Sequence, residues 1–222
     1  MHEDGPVRTQ ETLSVDQAVA RAVALAEAGG RSVVGIAGAP GAGKSTLARR
    51  VVTEVVTRLG PGVAVQVPMD GFHLANAALD TLGRRGRKGA VDTFDAAGYV
   101  ALVRRLAATG GTDGTVWAPD FDRRVDEPVA GSIAVPPETV LVVSEGNYLL
   151  DQTAPWRELP DLLTETWACV VDDAVRIDRL VGRHMRHGRD HEAARRWAVE
   201  VDGLNAERVT ADLHRASVLV RT

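Results

Sequence analysis

Gly38-Ala39-Pro40-Gly41-Ala42-Gly43-Lys44-Ser45 matches the pattern G-x-x-x-x-G-K-[S/T] at every fixed position. The short apolar run Val33-Val34-Gly35-Ile36-Ala37 precedes it, and residues 44–59 after it carry helical spacing. In a strand, glycine loop and helix of this kind, successive backbone N–H groups turn inward around phosphate oxygens. The helix N-terminus adds a partial positive charge at the same place. Lys44 then reaches the β- and γ-phosphates, and the Ser45 hydroxyl is placed for Mg²⁺. Gly38, Ala39, Pro40, Gly41, Ala42, Gly43, Lys44, Ser45 and Thr46 are therefore the expected nucleotide-binding residues. A dinucleotide site is disfavoured, because these glycines do not fit G-x-G-x-x-G.

Working outward, Ser14 reads as the N-cap of a helix in which Val15, Val19, Ala22, Val23 and Ala26 repeat at helical spacing until Gly29-Gly30. Val63 to Val67 is a second strand with Pro68-Met69-Asp70 at its end. Residues 71–94 read as a loop and Asp95 to Ala108 as a helix. Thr115 to Trp117 reads as a short strand and 118–137 as irregular, with Pro119, Pro128, Pro136 and Pro137. Thr139 to Ser144, Trp167 to Val171 and Val218 to Val220 read as strands. A helix starts near Asp173, and 190–214 is mostly helical. Uninterrupted apolar strands alternating with helices predict an α/β fold, with a mostly parallel central sheet covered on both faces. One domain spans residues 1–222, with 1–12 as a loose arm.

Composition narrows the function. The chain has 222 residues, 45% hydrophobic and 25% charged, and a formal net charge of −4. These are values of a globular domain. The mild negative charge disfavours nucleic acid as a partner. Apolar runs such as Val140 to Val143 are far too short to span a bilayer, so no membrane partner is expected. The N-terminus lacks a basic segment followed by an apolar one, so a cytoplasmic location is expected. Cys169, the single cysteine, sits in an apolar run and reads as a buried small hydrophobe. Among the 26 basic residues only Lys44 and Lys88 are lysines.

A phosphate loop alone does not separate kinase, ATPase and GTPase. Ras-like GTPases read guanine with an Asn/Thr-Lys-x-Asp segment, and neither lysine sits in one; Lys88 is followed by Gly89-Ala90. A compact chain with an Arg-rich segment suits a small-molecule kinase. Six segments also bear a resemblance to a known family. They are Gly35 to Leu47, Met69-Asp70-Gly71-Phe72-His73, Lys88 to Asp95, Pro119-Asp120-Phe121-Asp122-Arg123, Ser144-Glu145-Gly146-Asn147-Tyr148, and Arg179 to Arg189. In this order the chain resembles the phosphoribulokinase, uridine kinase and bacterial pantothenate kinase family of P-loop kinases. Within it, the chain is most like the branch of nucleoside/nucleotide kinase-like and fructose transport system kinase-like proteins. The resemblance implies a P-loop NTPase fold with an Arg-rich lid at about 179–190, ATP and Mg²⁺, and a small-molecule acceptor. The residues are silent on oligomeric state; a homodimer is what the resemblance suggests.

Asp70 ends a strand, where a parallel sheet opens its ligand crevice. The resemblance gives it the role of base or orienter for the acceptor hydroxyl, which must lose a proton as it attacks. Glu145 ends the apolar strand Val140 to Ser144 and suits a Mg²⁺ ligand beside Ser45. Asp172 is its rival, although capping of the next helix explains Asp172 and Asp173. Arg179, Arg183 and Arg186 fall on one helix face. The expectation is that Arg183 and Arg186 act with Lys44 on the transferring phosphoryl group, while Arg179 and Arg189 bind the nucleotide. The expected acceptor-binding residues are Asp70, His73, Arg87, Lys88, Asp92, Asp120, Asp122, Arg123 and Tyr148. The resulting expectation is an ATP- and Mg²⁺-dependent kinase acting on a hydroxyl of a nucleoside, pantothenate-like or sugar-like metabolite. The alternative is a nucleotide-binding regulatory protein on the same fold that has lost transfer activity.

Overall fold

The computed structural model describes residues 10–108, 114–186 and 188–222. In chain order the elements are β1 (Glu11–Ser14), α1 (Val15–Glu27), β2 (Ser32–Ala37), α2 (Lys44–Leu59), β3 (Ala64–Pro68), α3 (Asn76–Thr81), α4 (Ala96–Ala107), β4 (Val116–Asp122) and β5 (Glu127–Val135). They continue with β6 (Leu141–Gly146), α5 (Leu159–Leu162), β7 (Glu165–Val170), α6 (Asp173–Arg186), α7 (His191–Glu200), α8 (Asp202–Asp212) and β8 (Val218–Arg221). Six strands form one sheet in the order β1-β8-β7-β2-β6-β3, and each neighbouring pair is parallel.

β2 and β6 are buried along their whole length, as their unbroken apolar sequence requires. Val34 and Ile36 share a core with Val19 and Val23 of α1 and Leu47 and Val51 of α2. On the opposite face, Ala37 packs into a second cluster with Tyr99 and Val103 of α4, with Val209 of α8 and with Trp156 in the turn before α5. A Cβ on Gly35 would come within 2.5 Å of Leu163 Cδ1, so that layer sits directly on the strand. α1 begins with a capping box, in which the Ser14 hydroxyl accepts from Gln17 N and the Gln17 side chain accepts from Ser14 N.

Three sequence expectations change. The arm expected over 1–12 is ordered at its end: residues 11 and 12 lie in β1, paired with Val218 and Leu219, and Gln10 Nε2 donates to the Leu213 carbonyl. Only Leu13 of this short edge strand is buried, so its pattern is too sparse to read. Residues 1–9 lie outside the described residues. The stretch 118–137, expected to be irregular, is mostly the antiparallel pair β4–β5. Pro119 sits where the register shifts between Ala118 and Asp120, and a two-stranded sheet has free edges where proline is tolerated. The stretch 71–94, expected as a loop, contains α3 and two single turns.

The registers set the site. Ala37 at the end of β2 lies opposite Gly146, and Pro68 at the end of β3 lies opposite Glu145. The phosphate loop after β2, Glu145 at the end of β6 and Asp70 just beyond β3 therefore meet at the carboxyl edge of three adjacent strands.

Candidate active site

A cleft of about 1050 Å³ opens at this edge. The phosphate loop, Asp70 and Glu145 form its floor, α6 one wall, and the β4–β5 hairpin with the 85–89 segment the other.

The phosphate loop folds as its glycines dictate. Gly41 and Gly43 have φ of +82° and +90°, where an L side chain is strained. A Cβ at Gly41 would also lie 2.8 Å from the Arg176 carbonyl. Gly43 caps α2 without a side chain and leaves the first-turn amides facing the cleft. Two outside contacts brace the loop. Thr222 Oγ1 donates to the Ala42 carbonyl at 2.6 Å, and Arg176 Nη1 donates to the Pro40 carbonyl at 3.4 Å.

Lys44 is buried, and its ammonium donates to the Ala39 carbonyl at 3.1 Å and to Asn147 Oδ1 at 2.8 Å. Burial pushes its pKa below the ordinary lysine value, opposed by the nearby charges of Glu145 and Asp70. Glu145 is buried as well. Burial pushes its carboxyl above the usual range, with Lys44 pulling the other way and Asp70 adding to the rise. Ser45 Oγ donates to Glu145 Oε1 at 3.0 Å, and Gln66 Nε2 donates to the same oxygen at 3.4 Å. One hydroxyl and one carboxylate, both hard oxygen donors, fit the protein's share of a Mg²⁺ site, whose remaining ligands would be water and phosphate. Among the described residues no cluster of three or more His, Cys, Asp or Glu could hold a metal ion alone. The rival Asp172 caps α6, accepting from Ala174 N at 2.8 Å.

Beyond Asp70 the cleft is aromatic and basic. Arg123 Nη2 donates to Asp70 Oδ2 at 3.1 Å. The Phe121 ring lies 4.8 Å from the His73 ring, 4.9 Å from Lys88 Nζ and 5.8 Å from the Arg123 guanidinium carbon. His73 Nδ1 bonds to the Asp70 carbonyl at 2.7 Å, and burial pushes its pKa down, which favours neutral imidazole. β4 packs directly on the Asp70 turn: a Cβ on Gly71 would lie 2.4 Å from the Pro119 carbonyl oxygen. The hairpin thus fixes Arg123 over Asp70.

Arg179, Arg183, Arg186 and Arg189 all line the cleft from α6 and the turn after it, the segment expected as a lid. Residue 187 lies outside the described residues. Arg189 stacks on Trp197 of α7, with its guanidinium carbon 3.7 Å from the ring centre. His184 Nε2 and Asp202 Oδ2 join α6 to α8 at 2.7 Å.

Other expected acceptor residues lie elsewhere. Arg87 grips Asp92 at both carboxylate oxygens and holds it, against some burial, below the usual carboxylate range; neither residue lines the cleft. Asp122 is half-buried and bound by Arg124, which draws its pKa down to about 2. Asp120 accepts from Phe121 N and lines a smaller crevice behind Asp70. Tyr148 is buried, its hydroxyl donating to the Gly89 carbonyl at 2.7 Å, so it supports the 85–89 wall from behind. Sequence reading missed Asn147, Asp126 and Trp197. Asn147 could have been found from its place two residues past Glu145 at a strand end. Asp126 and Trp197 carry no such signal.

The comparisons agree with this geometry. A protein of Schizosaccharomyces pombe named for uridine kinase, C227.14, is 34% identical over 186 residues, covering 82% of this chain and 78% of that one. The crystal structure of a protein of Silicibacter sp. TM1040 named for a fructose transport system kinase is 34% identical. It covers 93% of this chain and 98% of its own, at a TM-score of 0.80. YFH7 of Saccharomyces cerevisiae, named for a P-loop containing kinase with a circular permutation, shares the fold at a TM-score of 0.80 and 17% identity, covering 95% and 99%. A family model described as methylmalonyl Co-A mutase-associated GTPase MeaB matches residues 9–115, the phosphate-loop half. With two relatives at 34% identity aligned over most of both chains, and the fold of the Silicibacter structure reproduced over most of this one, the chain belongs to the family of P-loop kinases related to uridine kinase.

Proposed function

We propose that the protein is an ATP- and Mg²⁺-dependent kinase that transfers the γ-phosphoryl group of ATP to a hydroxyl of a small metabolite. One observation carries the reading: two carboxylates, Asp70 and Glu145, stand at neighbouring strand ends beside the buried Lys44. The same cleft then continues past Asp70 to His73, Lys88, Phe121 and Arg123. A hydrolase acting on water would have no use for that extension.

In this reading the phosphate-loop amides and Lys44 hold the β- and γ-phosphates, and the α6 arginines face the charge that develops on the moving phosphoryl group. Ser45 and Glu145 would hold Mg²⁺, which when bound offsets phosphate charge. Asp70 orients the acceptor hydroxyl. The hydroxyl oxygen forms a bond to the γ-phosphorus, the bond from that phosphorus to the β–γ bridging oxygen breaks, and ADP leaves. The hydroxyl proton passes to the Asp70 carboxylate. His73, held as neutral imidazole, leaves Asp70 as the acid–base group of the pocket.

The test is ADP or GDP release with ATP or GTP and Mg²⁺ over pantothenate, uridine, cytidine, nicotinamide riboside, fructose, ribose and ribulose 5-phosphate. An acceptor that raises ADP release in wild type and fails to do so in Asp70→Asn supports the reading. Nucleotide binding with no acceptor-stimulated release would favour the regulatory alternative, and stimulation by GTP alone would favour a GTPase-like donor site.

A further inference from the structure

We propose that Thr222 is a positioning residue for the phosphate loop: its hydroxyl holds the Ala42–Gly43 peptide in the orientation that turns the Gly43 N–H toward bound phosphate. This rests on the loop being the nucleotide site, and not on which molecule accepts the phosphoryl group.

The sheet brings Thr222 to the loop. β8 runs parallel to β7 with Arg221 opposite Val170, and the next amide, Thr222 N, donates to the Val170 carbonyl at 3.1 Å. β7 lies beside β2, whose end opens into the loop. The loop therefore rests on the ends of both outer strands. A Cβ on Gly38 would lie 3.1 Å from the Cys169 carbonyl oxygen, and one on Gly43 would lie 3.3 Å from Thr222 Cβ.

Peptide geometry gives the contact its consequence. In a planar trans peptide the C=O and the N–H point in opposite directions. The Thr222 hydroxyl donates to the Ala42 carbonyl at 2.6 Å. Its other near acceptor, the Val170 carbonyl, is 3.4 Å away and already receives Thr222 N. The single hydroxyl hydrogen therefore serves Ala42. The N–H of the same peptide belongs to Gly43; it points away from Thr222 and has no acceptor among the described residues.

The carbonyls on either side are tied locally. The Ala39 carbonyl takes Ala42 N at 3.0 Å and the Lys44 ammonium at 3.1 Å, and the Gly43 carbonyl takes Thr46 N and Leu47 N at 3.1 and 3.0 Å. The Ala42 carbonyl instead depends on a donor 180 positions away. Without that donor the peptide is free to flip, because the rotation carries Gly43 from φ +90° to negative φ, which glycine adopts as readily. A flipped peptide aims a carbonyl oxygen at the phosphates, where the cradle needs a donor. Arg176 holds the Pro40 carbonyl in a similar way, but its loss would also remove a charge. Thr222 is neutral, so its loss changes orientation without changing the field at the site.

The experiment titrates the full chain with Mg-ATP, Mg-ADP and magnesium tripolyphosphate, the last a probe with neither base nor ribose. Thr222→Val and Thr222→Ala delete the donor with and without a branched side chain, and Thr222→Ser keeps it. Apparent affinity falls with the fraction of loops in the competent orientation. Both donor-less variants are therefore expected to bind all three ligands about three- to tenfold more weakly, the range of a neutral hydrogen bond. Thr222→Ser should stay within about twofold of wild type. A merely structural role would lower the melting temperature and leave these affinities alone. The proposal is overturned if Thr222→Val and Thr222→Ala bind Mg-ATP within about twofold of wild type, or if Thr222→Ser is as weak as they are. It is also overturned if tripolyphosphate binding is unchanged while ATP binding falls, since Thr222 would then act at the base or ribose. Equal affinities in wild type and the donor-less variants remove only this inference. Thr222-dependent Mg-ATP binding with no acceptor-stimulated ADP release removes only the kinase reading, and a wild type that binds none of the three ligands overturns both.

Discussion

Asn147 offers the sharpest test of how the site is held before nucleotide arrives. The buried Lys44 ammonium has two acceptors among the described residues, the Ala39 carbonyl at 3.1 Å and Asn147 Oδ1 at 2.8 Å. Asn147→Ala removes the shorter one from a charge that burial already disfavours. A hydrogen bond to a charged group contributes about 1.5–3 kcal/mol. For a domain of this size, each kcal/mol moves the melting point by about 2–4 °C. The nucleotide-free variant should therefore melt roughly 3–12 °C below wild type. Saturating Mg-ATP should close most of that gap, because phosphate oxygens then take over the ammonium. Asn147→Asp should do the reverse. Its new carboxylate pairs with Lys44 in the empty site and repels the incoming phosphates. Two unit charges ~4 Å apart in an effective dielectric near 20 interact by about 4 kcal/mol. If only a third of that remains after pairing with Lys44, ATP affinity falls about tenfold. Thermal unfolding with and without Mg-ATP, and a nucleotide titration, read both effects. An equal loss of melting temperature in the presence and absence of ATP would make Asn147 a mere packing residue. An Asn147→Asp protein that binds ATP like wild type would refute the argument outright.

Asp70→Asn should lower kcat by about 10²–10⁴-fold with the true acceptor while nucleotide affinity stays within a few-fold; kcat within threefold of wild type would show that Asp70 is not the base. Trp156 is fully buried, with its ring centre 5.8 Å from that of Tyr99 and 5.9 Å from that of Tyr148. Trp156→Ala should destabilise the fold by about 3–5 kcal/mol in urea unfolding, and a loss under 1 kcal/mol would mean that the cluster collapses around the gap. Arg208 grips Asp151 at 2.6 and 3.1 Å; burial opposes the carboxylate charge, but these bonds outweigh it and hold the pKa below the usual range. Because the folded-state pKa is the lower one, the pair's contribution is present above the unfolded value and lost as pH falls through the folded one. Arg208→Ala should cost about 1.5–3 kcal/mol at pH 7, with the gap to wild type closing as pH falls below the usual carboxylate range; a gap independent of pH would show that the loss is one of packing.

What was legible in the sequence is what the chemistry requires at fixed spacing along the chain. The phosphate loop needs its glycines and Lys44 within eight residues, and the strand-end acids Asp70 and Glu145 follow apolar runs that can only be buried strands. Sheet, loop and strand-end carboxylates could therefore all be placed from local pattern. The far wall of the cleft could not, because its contacts join distant segments. Arg123 meets Asp70 across 53 positions and Lys88 meets Asp126 across 38. Both depend on the β4–β5 hairpin, which Pro119 and Pro128 disguise as loop. The same blindness explains Asp92, Asp122 and Tyr148. Each is a polar residue in a motif-bearing segment, but Arg87, Arg124 and the Gly89 carbonyl claim them before any ligand could. Local pattern cannot tell a polar group aimed at substrate from one satisfied by its neighbour, since both look alike until the partner is seen. The two lysines show the converse. Their rarity was plain in the sequence, but it gained a physical meaning only when the fold set both Lys44 and Lys88 on the lining of one cleft.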